Sequence, residues 1–193
     1  MKQFYKVLVG TESSAAPGFH YNIDSITEAP FWIPEGDGPK ESGGFSIATE
    51  KALIRWIFRG DTLYDVIIPD DADILYPKHH CVQGELARVN KLILTNPRPM
   101  TDELAMQFYK ASHFTRKEYN KILAGCAICG YVHTCVAILK ERIRIQDAQA
   151  CLDCWERFIK PEHCLLSSDG KLYKVVQEKL QELAQIYQEK TGY

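Results

Sequence analysis

The hydrophobic pattern changes period once, near residue 100, and this change constrains the fold more than any other feature of the chain. Before it, short runs of β-branched and aromatic residues are separated by proline, glycine and acidic turns. After it, apolar residues recur three and four apart behind helix-capping residues. A chain patterned this way lays a helical part on a sheet, which is an α+β arrangement.

In the first part, "FYKVLVG" (4–10), "GGFSIAT" (43–49), "TLYDVIIP" (62–69) and "RVNKLIL" (88–94) read as strands, with a shorter one near "GFHYNI". "TEKALIRWIF" (49–58) reads as the one helix among them. Thr49 is its expected N-cap, Ala52, Leu53, Trp56 and Ile57 its apolar face, and Gly60 its end. Pro69 with the acidic "DDAD", and later "NPRP", are expected to stop their strands.

About five helices follow. Thr101 heads the first, and Thr115 with Glu118 forms an expected capping box for the second. "YVHTCVAILKERI" and "IQDAQACLDCWERFIK" supply two more, the latter ending at Pro161. Residues 171–190 form the last, with Leu172, Val176, Leu180, Leu183 and Tyr187 in one apolar stripe. The expected organisation is a small α+β subdomain over 1–100, a helical subdomain over 101–160, and a turn with an amphipathic helix over 161–193.

Hydrophobic residues are 46% of the chain, and the net charge is −2. The first figure allows a real core, and the second disfavours non-specific binding to nucleic acid. Lys110, Arg116, Lys117 and Lys121, interleaved with Tyr109, His113 and Tyr119, could form a nucleic-acid face, but a solvated helix face is the default reading. No apolar run approaches the ~20 residues of a membrane span. Thr11 and Glu12 end the first apolar run too early for a signal peptide, so the expectation is a cytoplasmic protein with no membrane partner.

The seven cysteines are then free thiols, packing residues or metal ligands. Cys126 and Cys129, and Cys151 and Cys154, form two C-x-x-C pairs separated by 21 residues, a spacing that structural zinc sites use. His133, Cys135, His163 and Cys164 could substitute for any of them. Against zinc, "ACLDCWERF" offers no turn at its second cysteine and sits inside a helical pattern. Gly130 reads as the turn of a helical hairpin, similar to one ankyrin-type helix pair, with cysteines packing as small apolar residues. No metal is the leading expectation, and zinc is the alternative. His79, His80 and Cys81 read as an exposed loop, and "DDAD" as a polar turn rather than a cation site.

A second chemistry comes from "GGFSIATE" followed by "QGELARV". Gln83-Gly84-Glu85 is similar to the Gln/Glu-x-Glu motif of mono-ADP-ribosyltransferases, which use NAD. That resemblance implies that Glu85 stabilises an oxocarbenium-like ribose by its charge, with Ser46 or Thr49 positioning it. Where that family places Arg or His on its first strand, this chain has Lys6, with His20 in the next segment. The alternative is that Glu85 is a solvated turn residue.

The arrangement "FYKVL … GFH … W … GGFSIATEKALIRWIFRGDTLYDVIIPDDADI … NKLILTNPRPMTDEL" also resembles a family of uncharacterised proteins in Gram-positive bacteria and their phages, across most of residues 1–160. The resemblance implies a bacterial or mobile-element setting and no activity. The leading functional expectation is therefore a non-enzymatic cytosolic protein-binding or inhibitor-like protein, in such a setting one acting on a host defence system. It would dock another protein, or a second copy of itself, through the stripe of the last helix. An ADP-ribosyltransferase-like enzyme and a zinc-stabilised nucleic-acid binder are the alternatives.

Overall fold

A computed structural model describes residues 2–14, 16–34, 43–77, 82–158 and 170–192. Its strands are β1 (Phe4–Leu8), β2 (Ile26–Glu28), β3 (Phe45–Ala48), β4 (Thr62–Ile67), β5 (Ile74–Leu75), β6 (Leu86–Val89) and β7 (Lys91–Pro99). They form one antiparallel sheet of seven strands in the order β2-β7-β4-β1-β3-β6-β5. The helices are α1 (Glu50–Leu53, continued as a 3-10 helix over Ile54–Arg59), α2 (Asp102–Ala111), α3 (Arg116–Cys129), α4 (Val132–Glu141), α5 (Ala148–Phe158) and α6 (Lys171–Thr191). The α+β class and the five helices after residue 100 agree with the sequence pattern.

The sheet is larger than the expected four strands. Residues 86–99 hold two strands hinged at Asn90 where one was expected. All four residues of β6 are buried, so it shows no alternation to read. "NPRP" does not stop β7, because a register shift opposite Leu63–Asp65 and the left-handed Asn96 carry the strand through Pro97 to Pro99. β2 pairs only with Lys91–Ile93. The outer edge of β7 beyond that point is where prolines do least harm to a ladder.

The caps also differ from expectation. The Thr49 hydroxyl donates to the Glu85 carboxylate rather than capping α1. Thr115 makes no side-chain cap, and Glu118 pairs with Arg55 at 3.4 Å. Leu53, Ile54 and Ile57 are buried where α1 passes into 3-10 form. Gly60 is extended, and it is needed for space, since a Cβ there would lie 2.0 Å from the Leu8 carbonyl. Gly130 makes the expected turn between α3 and α4.

Two apolar layers flank the sheet. Val7, Ala48, Leu63 and Leu86 face the helices in one core with Phe108, Ile122, Leu123 and Trp155. Phe4, Leu8, Phe45, Ile47 and Leu92 face the other way, under Phe19 and Tyr21. The segment after β1 therefore covers the second face of the sheet. No helix among the described residues is long and apolar enough to cross a membrane.

The stripe of α6 is turned onto the body. Val176 and Leu180 join the helix-side core, Tyr173 packs its ring 4.7 Å from that of Trp155, and Leu172 and Leu183 are partly buried beside them. Of the five stripe residues, Tyr187 is the most open, at 37% exposure. Leu180→Ala is expected to cost about 2–5 kcal/mol in urea unfolding, and Tyr187→Ala about 0.5 kcal/mol or less. Equal costs would show that α6 does not rest on the body.

Candidate functional site

The sheet is poorly closed at its centre. β1 pairs with β4 along all five of its residues and β3 pairs with β6 along all four, yet β1 meets β3 only at Tyr5 and Ala48. A cleft of about 470 Å³ lies along this opening. One wall comes from β1 and β3, another from α1 through Arg55, Trp56 and Arg59, and a third from Phe19, Tyr21, Pro30 and Phe31. Arg88 reaches in from β6.

The cleft is cationic. Lys6, Arg55, Arg59 and Arg88 line it, and no carboxylate does among the described residues. Lys6 Nζ crosses the opening to donate to the Ser46 carbonyl at 2.9 Å and lies 5.0 Å from the centre of the Tyr21 ring. Burial, then the Arg59 and Arg88 charges, lower its pKa to about 7. The Arg59 guanidinium carbon lies over the Trp56 ring, 4.8 Å from its centre, and burial draws its pKa down too. Burial pushes the Tyr21 hydroxyl up to about 12, so it remains a neutral donor beside these cations.

Arg88 braces the walls. Its Nη1 donates to Ser46 Oγ at 2.9 Å, and its Nη2 donates to the Gly44 carbonyl at 3.0 Å and to the Gly43 carbonyl. Gly43 and Gly44 both adopt positive φ, and a Cβ on either would strike Phe31 or Trp32. The Gly44 amide donates to the Phe31 carbonyl at 2.9 Å, which pins Phe31 at the mouth. Arg55 differs from the other cations because Glu118 offsets its charge from outside the cleft.

Of the residues expected to carry chemistry, Ser46 lines the cleft, whereas Gln83 is exposed and lies outside it. Glu85 does not line the cleft either. It accepts from Thr49 and lies 3.4 Å from Lys2 and 3.9 Å from Lys51. The Thr49 hydrogen bond, with help from these lysines, lowers its pKa and holds it ionised. Because Ser46 is in register with Arg88, Glu85 lies roughly 10 Å along the strand from Ser46.

Cys126 and Cys129 lie on α3, and Cys151 and Cys154 on α5. Cys126 and Cys151 are fully buried in the helix-side core. Burial raises the Cys126 thiol pKa, with Cys135 and Cys129 as its thiol neighbours, and burial then Cys154 raises that of Cys151 to about 12. Among the described residues, no three His, Cys, Asp or Glu side chains gather as a metal-binding group. His79, His80, Cys81, Pro161, His163 and Cys164 lie outside the described residues. In "DDAD", Asp71 pairs with Lys91 at 2.6 Å and Asp73 accepts from Trp32 at 3.0 Å, so both brace the fold.

Sequence reasoning missed Arg59, Arg88, Trp56 and Tyr21 as one constellation. The available signal was a cation inside each of two otherwise apolar strands, Lys6 in "FYKVL" and Arg88 in "LARV". Charges at such positions are costly unless something compensates them. Neither a protein-family model, nor a curated protein, nor a solved structure matches the chain.

The depressed Lys6 pKa makes stability depend on pH. Between about 7 and the ordinary value of 10.5 the unfolded chain holds a proton on Lys6 that the folded chain does not. Stability therefore rises with pH across that window, and below it the whole burial penalty is present. Lys6→Met removes the penalty, on the order of a few kcal/mol. In urea unfolding the variant should exceed the parent most at pH 6, with the difference shrinking by pH 9.5. A difference independent of pH would show that Lys6 carries no such burden.

Proposed function

We propose that this chain is a binding protein that holds a small anionic molecule in the cleft between β1 and β3. The observation that carries the reading is the convergence of Lys6, Arg59 and Arg88 in one concave site with no carboxylate among its described lining residues. Like charges drawn together in a partly desolvated space repel one another, and a bound anion offsets that repulsion. The cleft size falls in the range of small-molecule sites. The docking role expected for the stripe of α6 is not part of this reading, because Val176 and Leu180 are buried against the body.

The test is thermal unfolding of the parent and of Arg59→Met against phosphate, pyrophosphate, citrate and nucleotides. At least one anion should raise the melting temperature of the parent, with an affinity that falls as salt rises. The gain should be lost or strongly reduced in Arg59→Met. If no anion stabilises the parent more than the variant, the reading fails.

A second reading keeps the ADP-ribosyltransferase-like alternative. Its support is that Lys6 and Ser46 meet in the cleft while ionised Glu85 stands at the start of β6, beside the end of β3. Such an enzyme would release nicotinamide from NAD, and Glu85→Gln would abolish that release. An undiminished rate in Glu85→Gln, or no release by the parent, removes this reading.

A further inference from the structure

We infer that the ligand of this cleft is a nucleoside diphosphate or a close relative, a flat ring joined to at least two negative charges. This rests on the anion-binding reading and adds the identity of the two ends.

The charged end is set by Lys6 and Arg59. Among the described residues neither has a carboxylate partner. Protonated, Lys6 has three donors and uses one, on the Ser46 carbonyl; a bound anion raises its lowered pKa and so favours that form. Arg59 makes no hydrogen bond among the described residues, and its guanidinium carbon lies over the Trp56 ring, 4.8 Å from its centre. Its N–H donors are thus unused among the described residues, and a guanidinium grips phosphate oxygens in pairs. Two such cations, with the Arg88 charge behind them, match a diphosphate better than a single charge.

The other end is set by Phe31. Phe31 is 50% exposed as a residue and lines the cleft beside Pro30, with its carbonyl bonded to the Gly44 amide. A large aromatic ring held in place and left open to water is a stacking platform for a flat base. The cleft of about 470 Å³ is also far larger than an inorganic anion needs. The wall at Ser46, Gly43 and Gly44 is polar, with Arg88 bonded to all three.

The experiment titrates the whole chain by calorimetry with ADP, pyrophosphate and adenosine, and repeats this with Phe31→Ala and Arg59→Met. Phe31 is a surface ring, so its variant keeps the fold if Arg59→Met does not. ADP should bind about tenfold or more tightly than pyrophosphate, the gain expected from one stacked base. Adenosine should bind far more weakly than either. Phe31→Ala should bring ADP down to the level of pyrophosphate and leave pyrophosphate unchanged, whereas Arg59→Met should weaken both. Equal affinity for ADP and pyrophosphate overturns the inference and leaves the anion-binding reading standing. Adenosine binding as tightly as ADP also overturns it. No binding of any anion overturns both.

Discussion

The incomplete pairing of β1 with β3 is the constraint on which the rest of this molecule depends. The carbonyl of Leu8, at the end of β1, accepts from the Asp61 amide at 3.1 Å, where the β1–β4 ladder begins. The chain leaving α1 is thereby seated against β1, and only glycine at position 60 allows so close an approach. On the opposite edge of β1, β3 holds its ladder with β6 and touches β1 at one pair. Side chains instead of backbone line the space between them. Sheets seldom tolerate such a gap unless polar groups satisfy its edges, and Lys6 and Arg88 do this through the carbonyls of Ser46, Gly43 and Gly44.

The same cations carry a cost. Desolvating a lysine and two arginines beside one another opposes folding, and the aromatic faces of Tyr21 and Trp56 return part of that cost. A core built for stability alone would place apolar residues at these positions. Elsewhere the molecule does so: the helix side of the sheet is filled by Leu53, Ile57, Leu63 and Leu123, all nearly inaccessible. The contrast between the two regions separates an apolar, closely packed side from a cationic cleft.

The fold was more legible in the sequence than the site, for physical reasons. Helices α2 to α6 follow from local signals, namely period, caps and the glycine at 130, and their positions agree with the expectation to within a few residues. β6 and β7 merged into one expected strand because "LARV" is buried throughout and because prolines in "NPRP" ordinarily end strands. Thr49 and Thr115 are good N-caps by type, but tertiary partners took over: Thr49 donates to Glu85, and Glu118 faces Arg55 instead of closing a box with Thr115. The cleft draws on β1, β3, α1, β6 and the segment covering the second face. Residues so far apart in the chain have no shared spacing, so Arg59 and Arg88 could not be associated before the sheet order was known.

The seat of α6 bears on how the molecule is made. The Trp155 indole donates to the Asn120 carbonyl at 2.9 Å, and its ring lies under Tyr173, so α3, α5 and α6 meet at one side chain. During synthesis the ribosome delivers α3 and α5 well before Tyr173, Val176 and Leu180. Until those residues emerge, the apolar flank of Trp155 faces water. The helical half therefore cannot complete its core in step with translation, and the nascent chain carries a sticky surface that chaperones can engage.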